Sequence, residues 1–538
     1  ARSGVQLVMS SPPAGATSRE EKRVIIASSL GTMFEWYDFY LYATLAPFFA
    51  DLFFPRGNDT AALLSAFATY AAGFLVRPFG ALVFGRVGDI VGRKYTFLVT
   101  IVCMGAATFA VGLLPTFETI GWLAPTLLVT LRLIQGLALG GEYGGAATYV
   151  AEHAPDHRRG ANTSWIQTTA TLGFFLALVV ILACRTALSA EEFASWGWRV
   201  PFALSVVLLV FSVYIRLRLE ESPVFLRIKR EGRPSSAPLT ESFARCRNAR
   251  VVLLSLFGAP PRQGVVWYTG QFYALFFLTI TLKLDYQWAY LLIAGSLVVG
   301  TPFFIFFGWL SDRIGRLKII MVGCLLAAAT YIPLFKALTH HVNPALEAAQ
   351  ARTTITVSAS NCSFHLFVGP WSTFSECDRA RDFLTKSGVS FTSTEAPPGG
   401  PEVTTTIGST VLTGFDAAAY EAALRAAGFP ATADLSEVDW LMTELILIVM
   451  VLYVTMVYGP IAAFLVELFP ARIRYTSMSL PYHIGNGWFG GMLPLLATAI
   501  VAATGNIYDG LWYPIAVAVM SLVIGTLFLR DGRRVEPE

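Results

Sequence analysis

Two carboxylates three residues apart, Glu35 and Asp38, fall near the middle of an apolar run, residues 24–50, which is long enough to cross a bilayer. An ionised side chain at mid-bilayer costs about 2.5–3.5 kcal/mol on insertion scales, so its presence there needs a reason. A spacing of three puts both on one helix face. Burial and a neighbouring like charge each favour the neutral carboxyl, so one of the pair, Asp38 ahead of Glu35, can take up and release a proton. The competing account is a structural pair bonded to neighbouring helices.

Cations lie at similar depth. Arg132 is about nine residues into the run 123–150, and Gln135, Leu139 and Glu142 follow it at helical spacing. One polar stripe on an apolar helix should face a bundle interior or a wet cavity. The planar fork of Arg132 suits a carboxylate, or can settle a membrane acid when no substrate is present; a fixed ion pair between helices is the alternative. Glu142 reads equally as a third proton carrier or a structural group. Arg262 follows Pro260-Pro261, and Trp267, Tyr268, Gln271 and Tyr273 come next. Prolines break the helix ladder, which a membrane tolerates where the chain lines a cavity. Rings with one cation and one amide would suit a small organic acid, and helix packing is the competing account. His483 and Asn486 are weaker binding candidates. Arg77 is expected to snorkel toward an interface, and Gly136, Gly140 and Gly144 to let helices approach closely.

The elements that hold these residues follow from composition. The chain has 538 residues, 55% hydrophobic and 14% charged, against about 25% charged in soluble domains. A soluble enzyme, a disordered scaffold and a nucleic-acid binder all fit poorly. Six cysteines without a CxxC or a His/Cys cluster give no metal site and no cofactor motif. Twelve runs qualify as spans: 24–50, 60–84, 95–114, 123–150, 162–187, 198–216, 251–281, 287–309, 319–338, 440–466, 475–503 and 511–529. With the N-terminus inside, the cytoplasmic segments hold 26 Lys/Arg and the other side 10. That asymmetry predicts both termini in the cytoplasm. The first run reads as a retained helix and not as a removed leader.

Two loops share the pattern G-x-x-x-D-x-x-G-R, one as Gly85, Asp89, Gly92 and Arg93, the other as Gly308, Asp312, Gly315 and Arg316, 223 residues apart. A second pair, Glu152-x-x-Pro155 and Glu467-x-x-Pro470, is 315 residues apart. Two six-helix halves explain both pairs, and the excess of 92 residues places an insertion between Lys318 and Glu467. The aspartates can accept from helix N-termini or from arginine, while Arg93 and Arg316 can pair with Glu467 and Glu152 across the halves, a gate that opens and closes. A solvated charge run is the bland alternative. Residues 341–438 lack a long apolar run and hold 10 Asp/Glu against 5 Lys/Arg. Thr354–Ala359 and Val403–Leu412 read as strands, Cys377–Lys386 and Ala417–Ala427 as amphipathic helices. A small α+β domain on the outer side is expected, in which Cys362 and Cys377 can form a disulfide or stay as thiols.

These residues resemble the major facilitator superfamily and, within it, the metabolite:proton symporter family. The D-x-x-G-R loops carry the superfamily resemblance. Gly31 with Glu35-Trp36-Tyr37-Asp38-Phe39, Arg77-Pro78, Arg132-Leu-Ile-Gln135-Gly136 with Gly140-Gly141-Glu142-Tyr143-Gly144-Gly145, Trp198-Arg199-Val-Pro201 and Glu221-Ser222-Pro223 resemble the narrower family. The match covers about 440 residues, omits the insertion, and departs at Ile90, where the superfamily loop often has arginine; the second copy has Arg313. The resemblance implies an all-α membrane protein in two pseudo-repeats with alternating access around a midplane site. On this reading 1–23 is a cytoplasmic tail, 24–216 the first bundle, 217–250 a linker, 251–338 and 440–530 the second bundle, 339–439 the inserted periplasmic domain and 531–538 a second tail. The function implied is proton-coupled uptake of a small carboxylate or zwitterion across a bacterial inner membrane by a monomer with no nucleic-acid partner. A transporter-like receptor sensing a ligand through its outer domain is the alternative.

Overall fold

The computed structural model describes residues 19–54, 59–218, 221–231, 235–360, 362–363, 373–396 and 401–531. The expected tails lie outside these except for residues 19–23 and 531.

The chain is mostly helical. Its first half runs α1 (Arg19–Phe53), α2 (Asp59–Leu75), α3 (Arg77–Ile90), α4 (Arg93–Gly112), α5 (Leu123–His153), α6 (Arg159–Ala187) and α7 (Val200–Leu217). The second half runs α8 (Cys246–Gly258), α9 (Pro260–Tyr268), α10 (Tyr286–Ile314) and α11 (Arg316–Val342), and resumes after a sheet-bearing stretch. Among the described residues ten helical runs are long and apolar enough to cross a membrane, against twelve expected. The other two expected segments are helical as well: 24–50 lies within α1, while 251–281 is cut at Ala259 and ends in π-helical turns at Thr269–Tyr273 and Phe277–Thr281.

The breaks have local causes. Pro78 at the start of α3 and Pro260 at the start of α9 have no N–H to give the preceding turn. Each break lies beside a buried arginine, Arg77 or Arg262.

The stretch after α11 folds as α12 (Pro344–Arg352), β1 (Ile355–Ala359), α13 (Glu376–Lys386), β2 (Thr392–Glu395), β3 (Val403–Ile407), β4 (Thr410–Thr413) and α14 (Ala417–Ala426), a small α/β unit where the insertion is expected. Sheet order is β2-β1-β3-β4, with β1 and β2 parallel across the α13 crossover and β3–β4 an antiparallel hairpin. In β1 and β3 alternate residues are buried, placing Ile355, Val357, Val403 and Ile407 in one small core with Leu384 and Tyr420. The stretch Val403–Leu412, read as one strand, is two, because Gly408 at φ +58° turns the chain. β2 and α12 are not among the expected elements, although Asn343 as N-cap, Pro344 behind it and the alanine-rich run that follows mark α12. Cys362 and Cys377 are joined in a disulfide.

This unit is tied to the second half by Phe391 N donating to Gly505 O at 2.8 Å, Ala433 N to Lys283 O at 3.1 Å and Asn343 Nδ2 to Leu282 O at 3.0 Å. Its helix α13 also packs on α2 of the first half. The chain resumes with α15 (Trp440–Tyr458), α16 (Ile461–Leu468), α17 (Arg474–Tyr482), a π-helical stretch His483–Gly491, α18 (Leu493–Thr504) and α19 (Trp512–Phe528). The sheet therefore lies at one end of the bundle and the D-x-x-G-R loops at the other.

Candidate functional site between the two halves

The loop end is clasped in a near-symmetric way. Asp89 Oδ2 accepts from Thr476 N at 3.0 Å and from Thr476 Oγ1 at 2.6 Å, at the start of α17. Asp312 accepts from Gly160 N at 2.8 Å and Ala161 N at 2.9 Å, at the start of α6. Each loop thus supplies a carboxylate to a helix N-terminus of the other half, where free N–H groups and the helix dipole favour it. Gly92 at φ +139° and Gly315 at φ +107° make the turn that precedes the arginine, a backbone conformation that suits glycine.

The expected arginine pairing needs correcting. Arg316 reaches Glu467 of its own half, Nη2 to Oε1 at 2.8 Å, because its fork swings back from the start of α11 toward Asp312, 2.9 Å away. The cross-half partners are Arg159 with Glu467 and Arg474 with Glu152, each at 3.4 Å. The side chain of Arg93 lies outside the described residues.

Glu35 and Glu142 share one cation. Arg216, at the end of α7, approaches Glu142 Oε1 at 2.5 Å and Glu35 Oε1 at 2.7 Å, and all three side chains are at most 3% exposed. Thr100 Oγ1 donates to Glu142 at 3.1 Å. Asp38, one turn on from Glu35, stands apart from this triad: it is buried, and its Oδ1 has no hydrogen-bond partner among the described residues.

Toward the middle of the span two further guanidinium groups are buried. Arg132 Nη1 donates to Gln135 Oε1 at 2.7 Å, and Gln135 Nε2 to Thr108 at 2.8 Å. The Arg132 guanidinium lies 4.4 Å from the Phe39 ring centre and 4.5 Å from that of Tyr42. Arg77 does not snorkel. Fully buried, it lies 3.8 Å from the Phe74 ring centre and 4.3 Å from that of Phe39. Both cations border the Phe39 ring, so their guanidinium carbons are within about 9 Å of each other. Neither is in an ion pair among the described residues. Ring faces offset part of the cost of burying a cation, but Arg77 keeps all three nitrogens, and Arg132 two, without a hydrogen bond among the described residues.

Across from these cations the second half contributes rings and amides. Trp267 stacks on Tyr40 at 5.3 Å, Tyr268 meets Phe74 edge-on at 5.4 Å, Phe272 stacks on Phe174 at 4.3 Å, and Tyr482 stacks on Tyr143 at 3.5 Å. Gln271, His483, Trp267 Nε1 and Tyr268 Oη are buried without hydrogen-bond partners among the described residues. Asn486 Nδ2 donates to Tyr482 Oη at 3.2 Å. His483 and Asn486 lie in the π-helical stretch His483–Gly491, and Arg77 lies against Gly487 of that stretch. π-helical turns inside longer helices recur at functional sites.

Arg262 is not part of this group. Its Nη1 donates to Ser521 O at 3.0 Å and contacts Met321 Sδ at 3.2 Å, inside the second half. Sequence reasoning missed Arg216 and set Arg77 aside. A signal existed for each: Ser205, Ser212 and Arg216 form a buried polar stripe at helical spacing on α7, and Tyr70, Phe74 and Arg77 share one face across the α2–α3 break. The close approach expected of Gly136 and Gly140 is seen, since a Cβ would fall 1.9 Å from Gly73 O and 2.2 Å from Arg77 O respectively. At the sheet end a cavity of about 250 Å³ lies between the halves, lined by Phe48, Asp51, Arg185, Phe276, Tyr286 and Tyr290 among others.

A family model described as sugar (and other) transporter matches residues 24–258. The inner membrane metabolite transport protein YhjE of Escherichia coli (strain K12) is 44% identical over 236 residues, 44% of this chain and 53% of that protein. The shikimate transporter of Escherichia coli (strain K12) is 36% identical over 339 residues, 62% of this chain and 76% of that protein. The proline/betaine transporter of Salmonella typhimurium (strain LT2) is 35% identical over 322 residues, 58% and 64% of the two chains. The chain thus spans about half to three quarters of these relatives' lengths. A solved structure of the proton:xylose symporter XylE bound to 6-bromo-6-deoxy-D-glucose shares the fold, with a TM-score of 0.63 at 16% identity over 96% of this chain and 97% of that one. By its fold and by its identity to the shikimate transporter, this chain belongs to the major facilitator superfamily, whose members among these relatives are membrane transporters and not enzymes.

Proposed function

We propose that the chain imports a small carboxylate-bearing metabolite together with a proton across a bacterial inner membrane, by alternating access between two six-helix halves. On this reading both termini and the D-x-x-G-R loops are cytoplasmic, and the inserted unit is periplasmic. The observation that carries the proposal is the pair Arg77 and Arg132, two buried cations without a carboxylate partner among the described residues, beside rings from both halves. A substrate carboxylate would supply the missing charge and accept from nitrogens that now lack partners. The rings would hold the remainder of the substrate, either a cyclic acid or the ammonium end of a zwitterion.

Asp38 is the group we assign to proton exchange. Glu142 is held by Arg216 and Thr100, and Glu35 shares Arg216, so both already have a cation in contact. Asp38 has an acceptor oxygen to spare. Its neutralisation and that of the guanidinium pair would each lower the cost of turning the site from one side of the membrane to the other.

Purified protein in proteoliposomes tests the reading with a panel of organic acids and betaine-type zwitterions. Accumulation should require an inward proton gradient. Asp38→Asn should abolish accumulation yet keep exchange of labelled for unlabelled substrate. Uptake at the same rate without a gradient rejects coupling, and binding without any flux favours the receptor alternative.

A further inference from the structure

A second, larger cavity of about 540 Å³ opens away from the interface between the halves, at the sheet end of the second half. Its floor comes from the end of α11 (Lys336) and the approach to α19 (Asp509 and Trp512), its roof from the inserted unit (Gln350, Thr354 and Ser390). The lining holds one cation and one carboxylate. Lys336 Nζ lies 5.8 Å from the Tyr508 ring centre; neither Lys336 nor Asp509 is in an ion pair, with each other or elsewhere, among the described residues.

Below the cavity run two apolar stripes. On α11 the exposed positions are Val322, Leu325, Leu326, Ala329 and Pro333, and the stripe ends at Lys336. On α19 they are Leu527, Val523, Val519 and Ala516, ending at Trp512, itself 58% exposed. The two helices pack against each other, so both stripes lead up to the same cavity. In a membrane-spanning protein such faces meet acyl chains, and a lysine and a tryptophan at their ends mark the headgroup level.

We infer that this cavity is a binding site for the headgroup of a phospholipid in the leaflet at the sheet end, and that the headgroup is zwitterionic, of the phosphoethanolamine type. The phosphate would accept from Lys336 and from the Thr354 hydroxyl or the second N–H of the Gln350 amide, whose first donates to Gly388 O at 3.2 Å, while the Ser390 hydroxyl is given to Gln350 Oε1 at 3.4 Å. The ammonium would lie on Asp509, and the acyl chains along the two stripes. The opposed charges argue for a zwitterion over an anionic headgroup, because an anionic lipid leaves Asp509 facing like charge.

Native mass spectrometry of the full chain, delipidated in detergent, tests this with phosphatidylethanolamine and phosphatidylglycerol of identical acyl chains. Wild type should retain the ethanolamine lipid several-fold over the glycerol lipid. Lys336→Ala and Asp509→Ala should each reduce that adduct roughly fivefold or more, as expected on losing a charge-assisted contact. Thr354→Trp, which fills the space and keeps both charges, should reduce it as well. Equal retention of the two lipids, or an adduct unchanged in all three variants, overturns the inference. Binding of soluble glycerophosphoethanolamine as tight as that of the lipid overturns it too, since the site would then serve a dissolved solute.

Discussion

Asp89 and Thr476 are 387 residues apart, yet the Asp89 carboxylate closes the start of α17 through both the backbone N–H and the hydroxyl of Thr476. With its counterpart, the Asp312 carboxylate of α10 at the start of α6, it forms two clasps across the halves, which on the proposed alternating-access reading would exist only while the loop end is shut. Each charge at a helix start contributes about 1 kcal/mol. Asp89→Asn with Asp312→Asn should therefore raise the open population at that end by roughly tenfold or more. Pulsed spin-label distances between the loops 85–94 and 467–474 would report it, and an unchanged distribution would remove the clasps from the gating account.

Arg216→Gln should be severely destabilising. It leaves Glu35 and Glu142 buried together without their cation, and breaking a buried ion pair from one side costs about 3–5 kcal/mol. Adding Glu142→Gln should recover part of the loss. Thermal unfolding in detergent measures both, and a wild-type midpoint for the single variant would contradict the shared pair.

Arg77→Gln should behave in the opposite way. It removes a buried cation that has no ion pair to lose among the described residues, so stability should hold or rise. Affinity for a carboxylate substrate should fall by about 10–100-fold, the effect of losing a charged hydrogen bond of about 1.5–3 kcal/mol. Equilibrium binding beside a melting curve separates the two quantities.

Lys283 should give the docked unit a pH-dependent stability. It sits between α9 and α10 with Nζ donating to Lys386 O, and burial, aided by the Lys386 charge, pushes its ammonium down to about 8. The unfolded chain keeps an ordinary lysine near 10.4. Between these values the unfolded state binds more protons, so stability should rise as pH goes from about 8 toward 10. Below about 8 both states are protonated and the burial penalty is paid in full. Lys283→Met should be more stable than wild type at pH 7.5 and lose that upward slope; melting curves at pH 7.5 and 9.5 would show it.

Much of the scaffold was legible because its signals are local. Apolar runs mark helix, Pro260 marks a break, and the spacing of Asp89 from Asp312 exposes a repeat, whereas the break at Pro78 falls inside the run 60–84 that reads as one span. Pairing was less legible. Arg316 turns to its own half because Asp312 and Glu467 both lie within reach there, a fact of three-dimensional packing that spacing along the chain does not carry. Arg216 closes the run 198–216, and a helix end looks alike whether its last arginine meets solvent or bends back onto α1 and α5. Arg262 and Arg77 both adjoin prolines near the middle of broken helices, and only the direction each side chain takes separates one that packs inside a half from one that faces the other.

The small sheet-bearing unit is hydrogen-bonded to one half while its helix α13 rests on α2 of the other. Parting the halves at that end must peel α13 from α2, whereas parting them at the opposite end leaves the contact intact. On the proposed alternating-access reading the appendage would act as a counterweight, weighting the resting balance between the two orientations without touching the cations at the centre, and trimming it should retune how often each face of the membrane is visited.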